Sequence, residues 1–211
     1  MRIAIIGMGN VGSALGRRWS QSGHQVTFGA RNPADPKTVA AARDAGASVQ
    51  TVPEAAAAAE VVVLAVPWNA AQDAVKSAGN LRGKVLFDCT NPLTADLSGL
   101  EVGTQTSGGE IIARAAPGAG VVKIFNTTGA GNMANSNYGA TKVTMLYAGD
   151  DAQAKAVAAR LAADIGFDPV DLGPLTAARL LEPFALTWIT LAFRGGLGMD
   201  FALNIVRRPG R

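Results

Sequence analysis

One run near the start of the chain, Ile5-Ile6-Gly7-Met8-Gly9-Asn10-Val11-Gly12, constrains the fold more than any other. It spells G-x-G-x-x-G directly after a short apolar segment and directly before a helical pattern. That context makes a weak spelling specific. Each glycine has its own physical reason. Gly7 makes the sharp strand-to-helix turn, Gly9 lets backbone come close to a pyrophosphate, and Gly12 lets the helix pack on the strand. The free N–H groups and the positive end of the helix dipole then face the phosphates. The reading is a dinucleotide cradle formed by Gly7, Met8, Gly9, Asn10, Val11 and Gly12.

The rest of the chain supports such a cradle. Apolar runs of four to six residues alternate with longer alanine-rich segments, the pattern of a parallel sheet covered by helices on both faces. Strands are expected over 2–6, 25–28, 48–51, 60–66, 84–89, 121–125, 142–148 and 168–172. Helices are expected over 11–22, 36–45, 53–59, 70–78, 111–115 and 151–165, and a longer one over 175–193 is interrupted or kinked at Pro183. Two stretches, 93–109 and 126–141, read as long loops following strand ends, where open α/β sheets bind ligands. The predicted fold is α/β, a Rossmann-type doubly wound and mostly parallel sheet with a short C-terminal helical appendage. Residues 1–172 are expected to form the dinucleotide-binding domain, and 173–211 a helix and tail packed on it.

Composition narrows the function. A single cysteine, Cys89, excludes an intramolecular disulfide framework, and a single histidine, His24, argues against a His-rich metal site or a Ser-His-Asp triad. Net charge is +3, from scattered basic residues with few aromatics, so no nucleic-acid surface is expected. No apolar stretch reaches the roughly 20 residues of a membrane span, and the opening segment is glycine-broken rather than signal-like. The expectation is a cytoplasmic protein with no metal, no nucleic-acid partner and no membrane contact. His24 reads as a packing or capping residue, Cys89 as a structural thiol. Glu182 either faces the site or is a solvated helix charge.

The end of the second strand selects the dinucleotide. An NAD site wants a carboxylate there for the ribose hydroxyls, whereas this chain has Phe28-Gly29-Ala30-Arg31-Asn32-Pro33 and no acid before Asp35. Arg31 can pair bidentately with a 2′-phosphate, and Lys37 adds a second positive charge. NADP(H) is therefore expected over NAD(H), with Ala30, Arg31, Asn32 and Lys37 around the adenosine end. The turn after the fourth strand, Ala65, Val66, Pro67 and Trp68, borders the inner ribose and nicotinamide. Trp68 either shields the ring or packs beneath the following helix. Asn91 either bonds the carboxamide or a ribose hydroxyl, or simply forms the Asn-Pro turn.

The run Gly9-Asn10-Val11-Gly12-Ser13-Ala14-Leu15, then Gly29-Ala30-Arg31-Asn32-Pro33 and Asn91-Pro92, resembles the F420-dependent NADP oxidoreductase family. So do Val122-Lys123-Ile124-Phe125-Asn126-Thr127, Ala148-Gly149-Asp150-Asp151, the segment 166–175 and Ala178-Arg179-Leu180-Leu181-Glu182-Pro183. The resemblance implies hydride transfer between NADPH and a flat acceptor stacked on nicotinamide, either the deazaflavin coenzyme F420 or, as in related domains of membrane metalloreductases, a flavin (FMN or FAD). It places Asn126 and Thr127 beside the rings as substrate-binding residues and Arg31 at the 2′-phosphate. The family often carries Ser or Thr where this chain has Ala30, and the 129–137 stretch holds no basic residue for a coenzyme tail.

Hydride transfer between stacked rings needs proximity and exclusion of water rather than a nucleophile, so no catalytic side chain is expected. Two other readings stay open. One is an NADP-dependent dehydrogenase or reductase of a small carbonyl or imine. Such enzymes build their substrate site from a long helical second domain, for which the segment after Leu172 is short. The other is a non-catalytic NADPH-binding sensor. The apolar final segment that contains Trp188, Phe193 and Phe201 either covers the sheet, the simpler account, or forms a dimer contact; a homodimer is expected.

Overall fold

The computed structural model describes residues 1–208; of the segment 173–211, residues 209–211 lie outside the described residues. In chain order the elements are β1 (Arg2–Ile6), α1 (Asn10–Gln21), β2 (Gln25–Ala30), α2 (Pro36–Asp44), β3 (Ser48–Thr51), α3 (Val52–Ala58) and β4 (Val61–Leu64). Then come α4 (Trp68–Ser77), β5 (Val85–Asp88), α5 (Gly108–Ala115), β6 (Gly120–Lys123), α6 (Ala130–Ala134), β7 (Asn137–Tyr138) and β8 (Thr141–Lys142). The chain closes with β9 (Thr144–Gly149), α7 (Ala152–Asp164), β10 (Asp168–Asp171), a 3₁₀ turn (Leu175–Ala177) and α8 (Ala178–Phe193).

Eight strands form one sheet in the order β10-β9-β6-β5-β4-β1-β2-β3. The six from β6 to β3 are parallel, β9 pairs antiparallel with β6, and β10 runs parallel to β9. From β1 the chain winds outward to β2 and β3, then returns to β4 on the other side. The order therefore reverses between β1 and β4, the place where such sheets open a ligand crevice beyond the strands' carboxyl ends.

Alternation along the strands explains why both faces are covered. In β1, Ile3 and Ile5 join a core with Val61, Val63, Phe87 and Val122, closed by Leu15 and Trp19 of α1 and Leu161 of α7. Ala4 and Ile6 point the other way, into a core with Val62, Leu64 and Leu86, closed by Ala55 of α3, Val75 of α4 and Ile112 of α5. Strands buried on both faces must be apolar throughout, which is why they read as continuous runs. Trp19 anchors the first core: its Nε1 donates to Leu161 O at 2.9 Å and its ring meets Phe125 edge-on at 5.6 Å.

The chain departs from the sequence expectation in four places. The 126–141 stretch is not a plain loop; it holds α6 and the two-stranded β7–β8 hairpin. These elements are too short to show a hydrophobic period. The strand expected over 60–66 is only Val61–Leu64, because Ala65 begins the turn that meets Gly7, and α4 already starts at Trp68. The 84–89 strand ends at Asp88, and Thr90 folds back onto that side chain. The last helix is continuous through Pro183 after its 3₁₀ start, and beyond it the apolar tail carries no regular structure. That tail is nevertheless fastened: Phe201 stacks on Trp188 at 5.2 Å, and Asn204 Oδ1 accepts from Thr144 N and Oγ1 at the head of β9.

Candidate functional site

Because six strands run parallel, the segments after β1, β2, β4, β5 and β6 emerge at one edge. The glycine turn after β1 is built for close approach. Gly7 has φ +109°, and a Cβ on it would lie 2.3 Å from Ala65 O. A Cβ on Gly12 would lie 1.9 Å from Gly7 O, so α1 sits where only a glycine lets it sit. Gly9 is different: a Cβ there would meet nothing within 4 Å. Its bare backbone faces open space, and Gly9 caps α1 with no side-chain hydrogen bond. The protein interior demands Gly7 and Gly12, whereas no protein atom demands Gly9. An exposed Asn10 and a half-buried Met8 and Val11 flank this opening.

At the end of neighbouring β2, Ala30 is half-buried and Arg31 and Asn32 are exposed. No ion pair or side-chain hydrogen bond engages Arg31 among the described residues. Asp35, the first carboxylate after β2, is committed elsewhere: its Oδ2 accepts from Thr38 N at 2.9 Å and caps α2. Lys37 is exposed in the first turn of that helix. The half-buried Ala65 and Val66 lie directly against Gly7, and the exposed Pro67 caps α4. The half-buried Trp68 lays its ring, with Pro92, against Gly108 at the start of α5.

Asn91 and Asn126 come together after β5 and β6. Asn91 Nδ2 donates to Asn126 O at 2.9 Å, and Asn126 Nδ2 donates to Asn91 Oδ1 at 3.0 Å and to Leu181 O at 3.2 Å. Asn126 and Thr127 are buried, Asn91 half-buried, and Asn126 Oδ1 has no partner among the described residues. Phe125, just before the pair, has φ +60°, a left-handed conformation that a bulky residue adopts only under compulsion. The rings of Trp19, Phe87 and Phe167 surround it at 5.6–6.3 Å and hold it there.

A family described as "NADP oxidoreductase coenzyme F420-dependent" matches residues 2–92. An F420-dependent NADP reductase of Methanothermobacter thermautotrophicus is 32% identical over 211 residues, covering 92% of this chain and 90% of that protein. The chain belongs to the F420-dependent NADP oxidoreductase family. A crystal structure of a putative F420-dependent NADP reductase from Arthrobacter sp. FB24 superposes on this member with a TM-score of 0.88 at 34% identity, over 98% of this chain and all of that one. The metalloreductase STEAP3 of Rattus norvegicus is 30% identical over 213 residues, 98% of this chain but only 42% of the rat protein. No helix among the described residues of this family member is long and apolar enough to cross a membrane.

The family motif Val122-Lys123-Ile124-Phe125-Asn126-Thr127 contains a charge whose setting the sequence does not announce. Lys123 is wholly buried, and its Nζ lies 3.0 Å from Asp88 Oδ2, 2.9 Å from Glu182 Oε1 and 2.5 Å from Thr90 O. Burial works against the ammonium, but the carboxylates of Asp88 and Glu182 outweigh it and hold the pKa above its ordinary value. Glu182 is neither a solvated charge nor a group open to the site: it is 1% exposed and accepts from Gly108 N and Gly109 N at 2.9 and 3.0 Å, at the start of α5. One signal for the cluster does exist in the sequence. Asp88 and Lys123 are charges at the ends of otherwise apolar strands, and those ends are in register.

The remaining candidates are structural. His24 Nε2 lies 3.0 Å from Asp164 Oδ2, tying the start of β2 to the end of α7. Burial, followed by the neighbouring Asp88 carboxylate, pushes the Cys89 thiol far above its ordinary range, which makes it inert. No cluster of metal-ligating side chains occurs among the described residues.

Proposed function

We propose that this NADP oxidoreductase transfers hydride between NADP(H) and a stacked planar acceptor, the deazaflavin coenzyme F420 first and a flavin, FMN or FAD, second, and that it does so as a homodimer. One observation carries the choice of NADP(H): the exposed Arg31 guanidinium at the end of β2 has no ion pair or side-chain hydrogen bond among the described residues, and the first carboxylate after it in the chain, Asp35, is already spent on capping α2. The open space over Gly9 fits a diphosphate, because no protein atom accounts for the missing side chain there.

In this reading Gly9, Asn10 and Val11 hold the diphosphate with backbone N–H groups at the positive end of α1. Arg31 forks onto the 2′-phosphate, with Asn32 beside it and Lys37 adding field. Ala30 brings no hydroxyl to that phosphate. Ala65, Val66 and Pro67 border the inner ribose. Asn91, Asn126 and Thr127 line the edge where the two rings meet. The bound nicotinamide supplies the hydride, and the chain's residues orient it and keep water out. The acceptor follows the Methanothermobacter relative, which carries the F420-dependent name. The dimer follows from exposed apolar groups at the end of α8 and beyond: Phe193 is 62% exposed, Leu197 58% and Met199 59%.

Stopped-flow absorbance at the nicotinamide band tests the reaction, with F420, FMN, FAD and small ketones and imines offered in turn. Oxidation of NADPH by F420 or a flavin is expected. Oxidation by a ketone or imine alone makes the protein a dehydrogenase, and oxidation by none makes it a sensor. Arg31→Ala tests the cofactor assignment. It should weaken NADPH by about 1–3 kcal/mol, the scale of hydrogen bonds to charged groups, and leave NADH unchanged. Equal losses for both cofactors in calorimetry would remove Arg31 from the phosphate.

A further inference from the structure

The three buried charges at the ligand edge take no part in cofactor binding as proposed, and their stability value does not explain them. Burying ions costs several kcal/mol each, and a buried ion pair is commonly no better than an apolar replacement of the same shape. Here two carboxylates and one ammonium are buried together, and neutral donors help balance the surplus negative charge: the N–H groups of Gly108 and Gly109 at Glu182, and Thr90 at Asp88.

Their bonds converge on one place. Asp88 Oδ1 accepts from Thr90 N at 3.0 Å and Thr90 Oγ1 at 2.7 Å, and Lys123 Nζ donates to the Thr90 carbonyl, so every polar group of Thr90 is bound within the cluster. Asn91 follows immediately. On the other side, Glu182 is preceded by Leu181, whose carbonyl accepts from Asn126 Nδ2. The cluster therefore binds Thr90, the residue before Asn91, and contains Glu182, the residue after the Leu181 whose carbonyl Asn126 bonds, drawing on β5, β6, α5 and α8 at once. The pair also carries a buried acceptor, Asn126 Oδ1, without a partner, a cost of about 1–3 kcal/mol that packing alone gives no reason to keep.

We propose that Asp88, Lys123 and Glu182 are positioning residues that set the Asn91–Asn126 pair, and through it the geometry in which the nicotinamide and its planar acceptor meet. This rests on the hydride-transfer reading. Among the described residues no hydrogen bond or ion pair of the cluster reaches the glycine turn or Arg31, so its loss is expected to act on the transfer step and leave the grip on the diphosphate and the 2′-phosphate intact.

The test compares Glu182→Gln with Glu110→Gln, which loosens the neighbouring α5–α8 contact without touching the cluster. Asp88→Asn is a second cluster variant should Glu182→Gln fail to fold. Calorimetry is expected to give the same NADPH dissociation constant in all variants, within about threefold. Single-turnover hydride transfer is expected to fall by at least about tenfold in the cluster variants and to stay near wild type in Glu110→Gln. Tm falling while the transfer rate holds in a cluster variant would overturn the proposal. If wild-type protein oxidises no NADPH with any acceptor, the hydride-transfer reading fails. The side-chain amide NMR signals of Asn91 and Asn126 then decide the positioning separately: they should move in the cluster variants and not in Glu110→Gln, and unmoved signals sink it.

Discussion

Three glycines in one motif answer to two different masters. Gly7 and Gly12 are fixed by the protein, since a methyl on either would enter a backbone carbonyl. Gly9 is fixed by no atom of the described residues. Their substitutions should therefore separate. Gly12→Ala is expected to destabilise the fold by about 1–3 kcal/mol, the usual scale of overpacking, visible as a lower Tm without cofactor. Gly9→Ala keeps a conformation open to any residue, with φ −73°. It should leave the Tm of the cofactor-free protein unchanged and raise the NADPH dissociation constant at least about tenfold. A Gly9→Ala protein that binds NADPH normally would remove the diphosphate from this turn. The steric needs of Gly7 and Gly12 were legible in the sequence because the motif states geometric needs. The surroundings of Asn91 and Trp68 were not, since Asn126 and Gly108 lie far from them along the chain.

At the scale of elements, α5 and α8 show how a helix pair outside the central motif supports the edge. Arg179 on α8 reaches Glu110 on α5 through two short bonds, Nε to Oε2 at 2.8 Å and Nη2 to Oε1 at 2.6 Å. Those bonds, with help from Ser107, bring the Glu110 pKa down to about 2 against a partial burial that opposes it. A depressed carboxylate pKa means that the unfolded chain takes up the proton first as pH falls. The stabilisation by Glu110 is therefore complete above about pH 4.5 and drains away as pH falls toward 2. In thermal melts, the gap between wild type and Glu110→Gln should be constant from pH 5 to 7 and narrow below that; a gap that widens in acid would contradict the assignment. Glu182, one turn along α8 from Arg179, was ambiguous in the sequence. A carboxylate on a helix is usually solvated, and only the packing of α8 over the starting turn of α5 buries it.

For the whole molecule, the sheet turns a set of separate turns into one edge, and the tail returns to that edge. Phe201 rests on Trp188 and Asn204 holds the head of β9, so the final segment belongs to the same body as the sheet. The apolar groups it leaves exposed are expected to meet a second copy, giving a species of twice the 21.5 kDa chain mass in light scattering. A species of 21.5 kDa alone would reject the dimer. By itself the sequence determined the doubly wound class, the succession of strands and helices along the chain, and the glycine turn after β1 with Arg31 following β2. Those depend on local period and on the backbone freedom of single residues, which neighbours in the chain specify. Tertiary structure alone decided the antiparallel entry of β9, the α6 and β7–β8 elements, and the joining of Asp88, Lys123 and Glu182. Each of these depends on partners about 25 to 94 residues apart or on segments too short to carry a period, so their burial and charge balance are set when the layers close and not before.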